Sequence, residues 1–140
     1  MQDLRSLIDS INAEEETRAA ETFRFMEEQK IKKALGPALW EDLKIEFEKS
    51  RGAIEKSSSL RLEFVSEGIN EISIVNATNG KTAVLSYNSD VPCVFYRTPK
   101  DKGQMTFRVS PDGNAIQFIV NGIPRNMLDE IATTILSQIK

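Results

Sequence analysis

Residues 70–87, NEISIVNATNGKTAVLSY, hold two runs of alternating apolar and polar residues on either side of Asn79-Gly80. A period of two marks a strand with one buried face, and Asn-Gly between two such runs is the strongest short-range hairpin signal. The same rhythm continues outward. SLRLEFVS (59–66) precedes the pair, and PCVFYRT (92–98), GQMTFRVS (103–110) and AIQFIVN (115–121) follow it. Alternation is clearest at Leu60/Leu62/Phe64, Ile72/Ile74, Met105/Phe107/Val109 and Ile116/Phe118/Val120. The separators SEGIN, TNGK, NSDVP, TPKDKG and SPDGN are turn chemistry. Connections this short exclude parallel crossovers, so the six runs predict an antiparallel meander.

On the N-terminal side the period changes to that of a helix. Leu4, Leu7, Ile8 and Ile11 recur at spacings of three and four. Asn12 with Glu15 has the form of a capping box, a second start signal inside this region. From residue 13 to 35 the chain has no Gly or Pro and is rich in strong helix formers. Acid at its start and base at its end suit the helix dipole. Gly36-Pro37 predicts a stop and a new start, with Gly past one helix end and Pro opening the next. The second helix, residues 37–51, carries Leu39, Trp40, Leu43 and Phe47 on one face and ends at Gly52. EKSSS then reads as a linker. A last helix is expected over residues 124–139, with Leu128, Ile131, Ala132, Ile135 and Ile139 as its apolar stripe.

The expected fold is therefore α+β: two N-terminal helices, a six-stranded antiparallel meander and a C-terminal helix, with the helices on one face of the sheet. Residues 1–35 form a long helical segment and residues 36–140 a single domain. A chain of 140 residues is about one domain, able to bury roughly two thirds of its unfolded surface.

Composition narrows the chemistry. The net charge is −3, and all of the excess acid sits in residues 1–56, with 13 Asp/Glu against 10 Lys/Arg. No basic stripe is present for phosphate neutralisation, so no nucleic-acid partner is expected. No run approaches the ~20 apolar residues of a membrane span, and no secretory signal pattern opens the chain, so the expectation is no membrane and a cytoplasmic location. Cys93 is the only cysteine, which excludes an intrachain disulfide and a Cys-based zinc site.

No histidine is present, which removes His-based nucleophilic systems, His-ligated metals and the usual neutral-pH base. The acidic pairs and triplet at Glu14–Glu16, Glu27/Glu28 and Glu41/Asp42 occupy consecutive helical positions, which fan around the axis and do not converge. Cys93, among apolar neighbours, reads as a small buried hydrophobe, and Trp40 as a core anchor. SPDGN and TPKDKG read as turns, because neither carries a calcium-loop or phosphate-loop pattern. No catalytic residue, metal or cofactor is expected.

Two surfaces depart from the ordinary. The stripe Leu4, Leu7, Ile8 and Ile11 resumes, after a polar stretch, at Phe23, Phe25, Met26, Ile31 and Leu35. It either folds back on its own domain or lies in a groove of a partner, a second copy included. Glu15, Arg18 and Thr22 occupy the heptad positions after Ile11, which disfavours an ordinary coiled coil. Anchoring by Phe23, Met26 and Leu35 would make residues 13–35 an exposed strut. The second surface is the sheet face away from the helices, expected to show Val65, Val75, Val84, Tyr96 and Ile119.

In size, acidity and α+β make-up the chain is superficially similar to bacterial type III secretion chaperones. Those usually place a helix between the third and fourth strands, where only NSDVP stands here, so the family is not assigned. The leading functional expectation is a non-catalytic interaction protein, an adaptor, chaperone or inhibitor-like module acting through the N-terminal helix or the open sheet face. The alternatives are an apolar-ligand cavity lined by Phe64, Met105, Phe107 and Phe118, and, weakest, an enzyme using Tyr, Lys and carboxylates.

Overall fold

The structure, a computed structural model, describes residues 3–125 and 127–140, and within them all side chains except those of residues 66 and 67. One helix, α1, runs unbroken over Leu4–Ser57. Its 54 residues span roughly 80 Å at ~1.5 Å each. Seven strands follow: β1 (Leu62–Gly68), β2 (Glu71–Asn76), β3 (Thr82–Asn88), β4 (Cys93–Arg97), β5 (Lys102–Val109), β6 (Ile116–Val120) and β7 (Ile123–Arg125). A second helix, α2 (Leu128–Ser137), closes the chain. Each strand pairs antiparallel with the next, so the sheet is a meander in sequence order. Only a turn separates β3 from β4, as NSDVP indicates.

The expected pair of N-terminal helices is one helix. The N-cap is Asp3, whose carboxylate accepts the Ser6 amide at 2.8 Å, and α1 passes Asn12 without interruption. That amide holds the Asp3 carboxyl below the usual carboxylate range. Gly36 is not a terminator. It is buried against the Tyr87 ring, and a Cβ there would run into the Tyr87 hydroxyl. Glycine serves here for close approach. Pro37 removes one amide bond, to the carbonyl of Lys33, but both residues are exposed and water can satisfy that group. The roughly 3 kcal/mol of an interior proline is offset by core contacts beyond it. Gly52 likewise sits inside α1, and the presumed linker is helical as far as Ser57.

The seventh strand replaces the expected start of the last helix. Asn121 and Gly122 have φ of 52° and 77°, both left-handed, as a tight primed hairpin turn requires. They fold Ile123–Arg125 back on β6, with Val120 opposite Ile123 and Phe118 opposite Arg125. Pro124 is tolerated because β7 is an edge strand. The final helix therefore begins at Leu128 and not at residue 124.

The core lies between the inner sheet face and the two helices. Trp40, Leu43 and Phe47 of α1 and Ile131, Ala132 and Ile135 of α2 are buried with Leu62, Ile72, Ile74, Leu85, Val94, Met105, Phe107 and Phe118. An aromatic line crosses it. Trp40 stacks on Tyr87 at 6.0 Å, Tyr87 meets Phe107 at 6.4 Å, and Phe107 meets Phe118 at 5.1 Å. The Trp40 indole donates to the Ile69 carbonyl at 3.0 Å, so its buried N–H is satisfied. Cys93 is buried, as its neighbours suggest.

Candidate interaction surfaces

Only the second half of α1 packs on the sheet. Every residue from Leu4 to Met26 is exposed, and contact with the head, formed by the sheet, α2 and the second half of α1, begins close to Ile31, which reaches Gly113 in the β5–β6 turn. Residues 4–26 thus form a stem about 35 Å long at ~1.5 Å per residue. Leu4 is 72% exposed, and Leu7, Ile8 and Ile11 are 45–47% exposed. Phe23, Phe25 and Met26 are also exposed. Anchoring by Phe23 and Met26 is thereby corrected; the head holds α1 only from the half-buried residues at 27–29, Ile31 and Leu35 onward. The Phe23 and Met26 side chains are both exposed, and polar residues separate them from Ile11.

The stem stripe has a defined direction. Leu4, Leu7 and Ile11 precede Trp40, Leu43 and Phe47 by about ten turns of 3.6 residues each. Along a straight axis they share the azimuth of the residues that face the sheet. On such an axis the stripe continues the core-facing line of the helix, and among the described residues nothing buries it.

On the outer sheet face, Val65 and Phe95 are exposed, while Val75, Val84 and Ile119 are half-buried. They are dispersed. Across the strands Val65 aligns with Ser73, Val84 and Arg97, while Phe95 lies between Ser86 and Gln104, and Ile119 beside Thr106. Single apolar side chains among polar ones are ordinary for a wet sheet face. Tyr96 is not among them, which corrects the expectation. It pairs with Leu85 and Gly103 on the inner face and is 8% exposed. Phe95 takes the outward place. PCVFYRT has four successive apolar residues, so its own pattern does not reveal which of them face in; the register with β3 decides it.

Tyr96 lines the best-formed cavity, about 90 Å³, between the β4–β7 end of the sheet and α2. Met105, Val120, Ile131 and Ile135 form its apolar wall, and Asp101, Arg125, Glu130 and Gln138 its polar rim. The Tyr96 hydroxyl donates to Asp101 Oδ2 at 3.2 Å, and Arg125 pairs with Glu130 at 3.6 Å. Burial, then the Asp101 charge, pushes the Tyr96 phenol above its ordinary value. Of the four residues expected to line a cavity, only Met105 does. Phe107 and Phe118 are packed ring on ring, and Phe64 lies under the Arg51 guanidinium at 5.7 Å. The cavity gathers residues from four strands and a helix, so no local motif announces it.

Among the described residues no group of three or more Asp, Glu or Cys side chains is gathered as metal ligands, and no helix is long and apolar enough to cross a membrane. No protein-family model, curated protein or solved structure matches the chain.

Proposed function

We propose that the chain is a non-catalytic protein–protein interaction module, adaptor-, chaperone- or inhibitor-like, whose head holds a helical stem out for a partner. The observation that carries this reading is the exposure of Leu4, Leu7, Ile8 and Ile11 on a helix that its own head leaves bare. Burying a Leu or Ile side chain stabilises by roughly 1.5–3 kcal/mol. A stripe of four, on one face of a regular helix, is the anchor pattern of helix-in-groove recognition. The lone buried thiol fits a reducing, cytoplasmic setting.

Exchanging Leu7 and Ile11 for Ser tests the reading. Trp40, the sole tryptophan, reports head unfolding separately from assembly. The expected result is a lower solution mass with the head's urea midpoint unchanged at low concentration. A lowered midpoint at unchanged mass would return the stripe to this chain's own core and overturn the reading.

A second reading, a small-ligand site, is favoured by the Tyr96–Asp101 cavity with its apolar wall and charged rim. At about 90 Å³ it is smaller than the ~150 Å³ of a benzene-holding cavity, so only a short amphipathic molecule fits. Chemical-shift changes confined to Tyr96, Ile131 and Ile135 on adding small amines would support it.

A further inference from the structure

Resting on the reading of the stem as an assembly element, we propose that its occupant is the stem of a second copy, antiparallel, with Glu15 of each chain set against Arg18 of the other. Leu4, Ile8, Ile11, Glu15, Arg18, Thr22, Phe25 and Gln29 follow one another at alternating spacings of four and three. That is the seam of a heptad repeat, with Ile8, Glu15, Thr22 and Gln29 at its a positions and Leu4, Ile11, Arg18 and Phe25 at its d positions.

The polar middle of this seam decides the orientation. Two parallel stems in register would set Glu15 against Glu15 and Arg18 against Arg18, a like-charge contact in every central layer. Antiparallel stems related by a two-fold axis set an a residue of one against a d residue of the other. When the axis passes between Glu16 and Thr17, the layers are Leu4 with the partner's Gln29, Ile8 with the partner's Phe25, and Ile11 with the partner's Thr22. The two central layers are Glu15 with the partner's Arg18. Sliding by one heptad in either direction sets Glu15 against Ile11 or against Phe25 and leaves its charge unpaired in the seam. Of these registers only one pairs both central charges. A polar seam position specifies register at some cost in stability, which is the use made of it here.

The structure agrees with this arrangement in two ways. Glu15 and Arg18 are exposed, and among the described residues neither enters an ion pair within the chain. Seven of the eight seam positions, Leu4 to Phe25, lie in the stretch that the head leaves bare, and Gln29 at its edge is half-buried. Glu14 and the partner's Glu21 flank the seam with like charge, a solvent-screened contact of small weight.

Solution mass by light scattering at about 100 µM, with dilution, tests the pairing. The expected result is a dimer for the wild type and a dissociation constant raised roughly 100-fold for E15R or R18E alone. An equimolar mixture of E15R and R18E, whose stems carry opposite charges in both central layers, is expected to recover the dimer. Orientation is read from cysteines. I11C mixed with T22C should cross-link under mild oxidation while neither does so alone, and the buried native Cys93 stays out of the reaction. A monomeric wild type, a dimer indifferent to E15R and R18E, or cross-linking of I11C with itself would each overturn the proposal. The assembly reading fails on a different result, the loss of head stability on exchanging Leu7 and Ile11.

Discussion

Gly36 of α1 lies against the Tyr87 ring of β3 so closely that a Cβ would collide with the phenol hydroxyl. This contact sets how near the long helix approaches the sheet, and Tyr87 passes it on by stacking on Trp40 four residues further along. On helix propensity alone, Gly36→Ala would stabilise by up to about 1 kcal/mol. Overpacking of this kind costs typically 1–3 kcal/mol, so the expected outcome is a net loss of stability in urea unfolding. Gly52 has nothing within 4 Å of the corresponding position, so Gly52→Ala is expected to raise stability by up to about 1 kcal/mol. The opposite signs of two identical exchanges in one helix check the packing directly.

Asn76 ties the middle of the chain to its end. Buried at the close of β2, its side-chain amide donates to the Ile139 carbonyl at 2.8 Å, and its carbonyl oxygen accepts the Thr78 amide at 2.9 Å. Asn76→Ala leaves the Ile139 carbonyl with only a long 3.4 Å contact from Asn79. The expected cost is about 1–3 kcal/mol, the range for stranding a buried polar group. Asn79→Ala removes that long contact and the partly exposed Lys81 turn bond, and should cost under about 1 kcal/mol. Paired urea curves for the two variants decide it.

Tyr87 and Tyr96 both titrate above the ordinary tyrosine value of about 10. Burial is the main cause in each; the Cys93 charge adds to it for Tyr87, and the Asp101 charge for Tyr96. A folded-state value raised above the unfolded one favours the protonated phenol in the native chain. The stability this contributes is fully present below about pH 10 and is lost as pH rises through the folded values. Stability should therefore be level up to about pH 9 with respect to these groups and fall steeply above pH 10. Tyrosinate absorbance should develop late relative to the urea-unfolded chain. Titration of the folded chain at the unfolded value would contradict the burial of both rings.

Much of this architecture is legible in the order of residues, and the exceptions share a cause. The meander is readable because most of its first six strands alternate and all are separated by turn chemistry, as at Asn79-Gly80, where Gly80 takes φ 75°. The same dipeptide at Asn121-Gly122 marks the seventh strand, but Pro124 draws the eye to a helix start. Gly36-Pro37 reads locally as a helix boundary because the reason for the glycine, Tyr87, is 51 positions away. Tyr96 has no readable side in an unbroken apolar run; its facing comes from pairing with Leu85 and Gly103. The exposed stem is readable because Glu15, Arg18 and Thr22 interrupt its apolar stripe. The cavity is not, since its walls come from five elements.

Removing the outer half of the stem, with its apolar stripe, tests the central claim most directly. Light scattering and Trp40-monitored urea unfolding would be compared for the full chain and for a chain beginning at Glu14, which lacks Leu4, Leu7, Ile8 and Ile11. The account expects the full chain to be the larger assembly, and the shortened one to be a monomer whose head unfolds at the same midpoint. A shortened chain that unfolds several degrees or about 1 M urea earlier, with no change in assembly, would contradict it and make the stem part of the fold.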